Sequence, residues 1–140
     1  MDEQKYPKLE TTCRSIFQQS RQILSWGWDD RFQAALLQFP VTAKDAVLSM
    51  LNSHFDAHWG SSNIDKAPEV VQVVCDNLGG IRDDQLLFAT DTSQDALILA
   101  AYWPWQNGQT ISIRILLAVP QLADADFDKL LNRFKTWFCD

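Results

Sequence analysis

Ala96-Leu-Ile-Leu-Ala-Ala-Tyr-Trp-Pro-Trp105 and Thr110-Ile-Ser-Ile-Arg-Ile-Leu-Leu-Ala-Val119, joined by Gln-Asn-Gly-Gln, form the stretch that decides the fold. Both arms are rich in aliphatic, β-branched and aromatic residues, which favour strands. Asn107-Gly108 between them is the pair that a type I′ turn prefers. The stretch therefore predicts a β-hairpin with strands Ala96–Trp103 and Thr110–Val119, in a register that places Ala101 opposite Arg114.

Strand alternation divides the hairpin side chains between two faces. One face carries Tyr102 with the isoleucines of the second arm, and it is so apolar that helices must cover it. The other face carries Trp103, Trp105, Ser112 and Arg114 toward the turn. Arg114 is the only charged residue of the hairpin, and it lies diagonal to Trp103, within reach of a cation–π contact.

Helical spacing of apolar residues, together with capping signals, predicts the elements around the hairpin. The valine-rich stretch Val70–Val74 also suits a strand, but Pro68 before it and Gly79-Gly80 after it favour a helix. The predicted helices are Pro7–Ser25, a short one from Asp29 or Asp30 to Gln38, Thr42 to about Trp59, Ala67–Leu78, and a last one opening at Asp124. Gln85–Thr90 is predicted as a strand that precedes the hairpin.

The order of these elements defines the fold class. Helices come first, then a three-stranded antiparallel meander, then a C-terminal helix packed on the sheet, and such segregation is typical of an α+β fold. The chain of 140 residues, 46 % of them hydrophobic, suits one domain over residues 1–140 with a sizeable core.

Charge and cysteine usage exclude several classes of protein. The net charge of −6 and the absence of a Lys/Arg cluster argue against nucleic-acid or anionic-membrane binding. The start of the chain has no apolar signal-like segment. Cys13, Cys75 and Cys139 are widely spaced, so we expect reduced thiols and a cytoplasmic location. No phosphate-binding or cofactor motif occurs, and we expect no cofactor.

The Trp/Arg face of the hairpin supplies the candidate interaction surface. Trp103, Trp105, Ser112 and Arg114 form a predicted partner-binding patch, since tryptophan and arginine are enriched at binding hot spots. The alternative is that the C-terminal helix, with its own aromatic residues, covers both tryptophans and makes them part of the core.

The third predicted strand, Thr110–Val119, supplies a second candidate contact. It is long, apolar and guarded only by Arg114, and such an edge invites another chain. Two of these edges pairing about a twofold axis would make a homodimer with a continuous sheet. The competing possibility is that Val70–Val74 forms a strand that pairs there within the same chain.

Together these features favour a non-catalytic cytoplasmic interaction protein, such as an adaptor, small chaperone or regulator, acting as a homodimer and binding a protein partner. The alternative is a small-molecule binding domain whose apolar pocket is lined by Tyr102, Trp103, Arg114, His54 and His58. A third hypothesis is a metal-assisted hydrolase, because His54 and His58 lie four apart on a predicted helix and could ligate one metal ion. The sequence shows no complete catalytic set, so an enzyme is the weaker interpretation.

Overall fold

The computed structural model describes residues 6–21 and 26–139. Among these residues there are four α-helices and six strands, in the order α-β-β-α-β-α-β-β-β-α along the chain. The helices are α1 (Pro7–Ser20), α2 (Lys44–His54), α3 (Glu69–Asn77) and α4 (Asp124–Thr136). The strands are β1 (Trp26–Asp29), β2 (Ala34–Pro40), β3 (Ala57–Trp59), β4 (Leu86–Ala89), β5 (Leu97–Pro104) and β6 (Thr110–Ala118). Single 3-10 turns occupy Val41–Ala43 and Ile64–Lys66.

The strands form one antiparallel sheet in the order β1-β2-β6-β5-β4-β3. The α+β class is therefore confirmed, and the predicted meander is present as β4-β5-β6. The hairpin register is also confirmed, with Ala101 opposite Arg114. The prediction of three strands was too low, because β1, β2 and β3 extend the sheet on both sides of the meander.

The predicted short helix from Asp29 or Asp30 to Gln38 is wrong, and this segment instead completes the β1–β2 hairpin. The Asp29 carboxylate accepts hydrogen bonds from the backbone N–H groups of Arg31 and Phe32, at 2.9 and 3.3 Å, and so closes a turn. Gln33 then takes a left-handed φ of 53°. Beyond it, Ala35, Leu37 and Phe39 are buried on one face, the period-two pattern of a strand.

Two predicted helix ends also need correction. The helix that begins near Thr42 ends at His54 rather than Trp59, because Phe55 turns to extended backbone with φ −115° and ψ 142°. Ala57–Trp59 then pairs with β4. The first helix ends at Ser20, and the rest of its predicted range, residues 22–25, lies outside the described residues.

The stretch Val70–Val74 is helical, as predicted from its end signals. α3 closes with a Schellman motif, in which Gly80 N–H donates to the Cys75 carbonyl at 2.9 Å and Gly79 N–H to the Asp76 carbonyl at 3.0 Å. Gly79 has φ 93°, a conformation that favours glycine. The helix end predicted at Gly79-Gly80 is therefore confirmed.

Both faces of the sheet are covered by helices, but unequally. α1, α2 and α4 pack on the face that carries Tyr102 and the isoleucines of β6, and they enclose the larger core. α3 packs on the opposite face, where Val71 and Cys75 meet leucines and alanines of β4, β5 and β6. Gly27 and Gln38 on that same face remain exposed. The β1–β2 end of the α3 face is therefore the more open part of the sheet.

The turn of the central hairpin differs from the predicted type I′ turn. Gly108 is left-handed, with φ 71°, but Asn107 is not. Gly108 N–H donates to the Trp105 carbonyl at 3.2 Å, and the Asn107 side-chain oxygen accepts from the backbone N–H groups of Gln109 and Thr110. The loop is thus longer than two residues, with a single left-handed glycine at its end.

Candidate protein-interaction site

Arg114 lies on the face of the sheet that α3 covers, and it forms an ion pair with a residue that is distant in sequence. Its Nε lies 2.7 Å from Oδ2 of Asp29, the last residue of β1. The two side chains are only 17 % and 13 % exposed. Because both partners are mostly removed from water, this pair is held more firmly than an ordinary surface ion pair.

Aromatic rings flank the Arg114 guanidinium. Its carbon lies 4.7 Å from the ring centroid of Trp103 and 5.6 Å from that of Phe32. The two rings meet edge to face, with centroids 5.9 Å apart. The cation–π contact expected between Arg114 and Trp103 is confirmed. We refer to Asp29, Phe32, Trp103 and Arg114 as the Arg114 cluster.

The ionisation of Asp29 reflects its contacts within the Arg114 cluster. Burial by itself raises the pKa of this carboxyl. The hydrogen bond from Arg114, the backbone N–H groups of Phe32 and Arg31, and the Arg114 charge together outweigh burial and hold the pKa of Asp29 below its ordinary value. The carboxylate is therefore charged throughout the neutral range.

Trp105 is the exposed member of the predicted patch. Its indole Nε1 donates a 2.6 Å hydrogen bond to the Ser112 hydroxyl, and Ser112 is itself buried, at 1 % exposure. The Trp105 side chain is 43 % exposed. Ser112 therefore orients the indole rather than meeting a partner directly, and Trp105 presents a fixed aromatic surface to solvent.

The alternative in which the C-terminal helix covers the tryptophans is wrong. Trp137 and Phe138 belong to the core on the opposite face of the sheet. Trp103 is half-buried, packed instead against the smaller core that α3 covers. The predicted patch thus divides into a half-buried cluster around Arg114 and an exposed indole at Trp105.

The prediction that Thr110–Val119 forms a sheet edge is also wrong. β2 pairs with β6 from Ala35 to Pro40, so the outer side of β6 from Thr110 to Ile115 is occupied by the chain's own backbone. Strand pairing of two copies along Thr110–Ile115 is therefore blocked, and the edge strands that remain among the described residues are β1 and β3.

The five residues predicted to line one small-molecule pocket do not lie together. Tyr102 faces the larger core, whereas Trp103 and Arg114 lie on the α3 face. Burial, with the Asp45 and Asp84 carboxylates, raises the pKa of Tyr102. A cavity of about 330 Å³ does adjoin Tyr102 at the hairpin end of the sheet, and Val41, Leu48, Pro104 and Trp105 are among its lining residues.

His54 and His58 do not share a helix. His54 ends α2, where its Nε2 lies 3.0 Å from the Gln19 side-chain oxygen, and burial lowers its pKa. His58 lies on β3, with its ring centroid 5.1 Å from that of Phe88. Within the described ranges no group of three His, Cys, Asp or Glu residues is placed to hold a metal ion. The helical spacing on which the metal hypothesis rested is therefore wrong.

Two of the three thiols are poor nucleophiles. Cys13 and Cys75 are buried, and burial, with smaller effects of Glu10 and Asp76 respectively, raises the pKa of each thiol. Cys139 is exposed.

In the part of the chain that the structure describes, no helix is both long and apolar enough to cross a membrane.

Sequence reasoning missed Asp29, Phe32 and Gly27 as members of this region. All three lie in or beside the β1–β2 hairpin, which the sequence analysis assigned partly to a helix. The apolar–polar alternation of Leu37-Gln-Phe39, following the polar stretch Asp29-Asp-Arg, was the available signal.

Comparisons with known proteins add no family to this description: no family model matches the chain, and neither a curated protein nor a solved structure matches it significantly.

Proposed function

We propose that this chain is a non-catalytic, cytoplasmic interaction domain of the adaptor, small-chaperone or regulator type, and that it acts as a homodimer joined through β1. The observation that carries the proposal is an unguarded sheet edge at Gly27. Gly27 is exposed and has no side chain to obstruct another strand. The one charge on β1, Asp29, is already paired with Arg114.

Edge strands usually resist pairing through charged side chains, proline or bulges. β1 reads Trp-Gly-Trp-Asp, with no proline and no bulge in its pairing with β2. Its one charged side chain, Asp29, is held in the ion pair with Arg114. The opposite edge, β3, has only three residues and carries the exposed His58 at its centre. β1 is therefore the less protected of the two edges, and we assign the twofold contact to it.

The proposed contact connects the edge with the Arg114 cluster. Gly27 lies opposite Leu36, which in turn lies opposite Arg114, in one row across the sheet. Antiparallel pairing of two β1 strands requires a twofold axis perpendicular to the sheet, which keeps corresponding faces on the same side. Both Arg114 clusters and both Trp105 indoles would then share one surface, which suits a protein partner with two contact points.

Sedimentation across about 1 μM to about 1 mM protein tests the dimer, a range that spans weak to moderate association. We expect the wild type to shift from monomer to dimer, and Gly27→Lys to remain monomeric because two added cations would meet at the edge. The domain itself accommodates a side chain there, since a Cβ at Gly27 would meet only the Leu36 carbonyl oxygen, at 4.0 Å.

His58→Lys is the matched control, because it places the same cation on the other edge strand and should dimerise as the wild type does. Trp105→Ser should also dimerise normally, since we assign Trp105 to a different partner. A wild-type protein that stays monomeric at every concentration contradicts the homodimer. Equal dimerisation of Gly27→Lys and wild type contradicts the β1 contact.

The cavity beside Tyr102 favours small-molecule binding as a second candidate function. Its apolar lining, with Lys44 and Asp84 also bordering it, resembles the composition of ligand pockets. Indole is a suitable probe, and saturable shifts in the NMR signals of the Leu48 and Ile111 methyl groups are expected on titration. Shifts that fail to saturate, or that appear equally in distant methyl groups, remove this candidate.

A further inference from the structure

α3 carries more valines than its contact with the sheet requires. Val71 and Cys75 face the sheet, at 0 % and 5 % exposure. Val70 and Val74 are half-buried, and Val73 is 50 % exposed, although valine is an unfavourable residue on the solvent side of a helix. The flank of α3 that carries Val70, Val73 and Val74 is therefore a second, partly buried apolar face.

This second face forms one wall of an open groove of about 660 Å³. The opposite wall is built from the end of β6 and the segment leading into α4. Its apolar lining includes Val70, Val73 and Val74 on one side and Pro120, Leu122 and Phe127 on the other. We refer to this feature as the valine groove. None of its lining residues belongs to β1, the Arg114 cluster or the cavity beside Tyr102.

The charged residues that line the valine groove are both acidic. Glu69 begins α3 and Asp124 begins α4, and both are exposed. Neither forms an ion pair with a cation of the described residues. Among the residues that the structure describes, no Lys, Arg or His lines the groove, and the whole chain carries a net charge of −6. The groove thus combines apolar walls with two exposed carboxylates at its rim.

We propose that the valine groove binds an amphipathic segment of a partner protein, with apolar side chains between the walls and a Lys or Arg at the acidic rim. A helix alongside a helix-lined groove is a common mode of peptide recognition. Apolar anchors supply most of the binding energy in such contacts, while the rim charges select the partner and speed association. The negative rim disfavours acidic segments and anionic amphiphiles such as fatty acids.

A displayed library of random peptides tests the proposal even though the partner is unidentified. Peptides are selected on the wild-type protein and counter-selected on Val73→Lys, which removes the exposed anchor and adds a cation. We expect the enriched peptides to carry apolar residues at helical spacing beside Lys or Arg. The affinity of an enriched peptide, measured by fluorescence anisotropy, should fall at least about tenfold with Val73→Lys.

Asn52→Lys is the matched control, because it adds the same cation at an exposed position of another helix, α2, and Asn52 lines neither the valine groove nor the cavity beside Tyr102. This variant should bind the peptide as the wild type does. Glu69→Gln combined with Asp124→Asn should weaken binding and flatten its dependence on salt. Thermal unfolding of each variant verifies that the domain remains folded.

Three outcomes would overturn the proposal: enriched peptides without basic residues, an equal loss of binding in Asn52→Lys and Val73→Lys, or a selection in which no peptide distinguishes Val73→Lys from wild type. The Gly27→Lys variant separates this site from the proposed dimer. If the groove is a separate site, Gly27→Lys binds the selected peptide normally, whatever its oligomeric state.

Discussion

Arg114 is held by groups from two distant parts of the chain. Asp29 supplies its counter-charge, Phe32 one flanking ring, and Trp103 on the neighbouring strand the other. A guanidinium with these contacts can be mostly buried at little cost, because the carboxylate takes the place of water and the aromatic rings pack against its flat faces. Arg114 is thus primarily a connection between β1 and β6.

We expect Asp29→Asn to lower the free energy of unfolding at neutral pH by about 2 kcal/mol, between the values for exposed and fully buried pairs. Asparagine retains an oxygen that can accept from the Arg31 and Phe32 N–H groups, so the change mainly removes charge. Urea unfolding of both proteins measures the difference.

The same substitution has a defined dependence on pH. Because the folded-state pKa of Asp29 is lowered, its stabilising effect is present above the unfolded value of about 3.9 and is lost as the pH falls through the lower folded-state pKa. The wild-type advantage should therefore disappear in strong acid. A difference that is unchanged there would show that packing, rather than charge, stabilises this contact.

At the scale of elements, α3 shows how end signals can outweigh propensity. Its valines favour a strand, yet Pro68 before the first turn and the Schellman motif at Gly79-Gly80 delimit a helix of nine residues. The β1–β2 hairpin shows the converse. Asp29 looks like a helix N-cap, but its carboxylate instead closes the turn that returns the chain as β2.

Gly79→Ala should destabilise the protein by about 1 kcal/mol, because a Cβ is unfavourable at φ 93° even where it has space. Gly79→Asn should cost less, since asparagine tolerates this conformation better. Gly60→Ala is the control: its φ is not left-handed, and its Cβ would make an ordinary 3.6 Å contact with the Leu86 side chain. Equal losses for Gly79→Ala and Gly60→Ala in thermal unfolding would contradict the prediction.

At the scale of the whole molecule, the central strands are protected by neighbours on every side. β6 pairs with both β2 and β5, and helices cover the larger core on one face. β1 and β3 have a partner strand on only one side among the described residues. Local opening should therefore begin at the edges and reach the centre only on global unfolding.

Hydrogen exchange measured by mass spectrometry checks this order. We expect the slowest exchange in β5 and β6 and faster exchange in β3 and β1. If β1 forms the dimer contact, its protection should rise with protein concentration while that of β3 does not change. Protection of β1 that is independent of concentration, in a range where sedimentation detects dimer, would place the contact elsewhere.

The sequence by itself determined the α+β class, the central hairpin with its register, the helical state of Val70–Val74 with its stop at Gly79-Gly80, and the start of α4. These features depend on contacts between residues close in the chain: strand alternation, a turn, and helix ends. The same alternation correctly placed Trp103, Trp105, Ser112 and Arg114 on one face. Local patterns are sufficient here because each strand or helix carries its own periodicity.

Only the tertiary structure decided which strand borders the outer side of β6, which carboxylate pairs with Arg114, and where the two histidines lie. The partner of β6 is β2, whose sequence is also compatible with a helix, and the counter-charge of Arg114 comes from Asp29 on a strand that local signals missed. The separation of His54 from His58 likewise follows from where α2 ends. Such pairings arise from burial of one surface against another that is remote in the chain, and local periodicity carries no information about which remote surface that is.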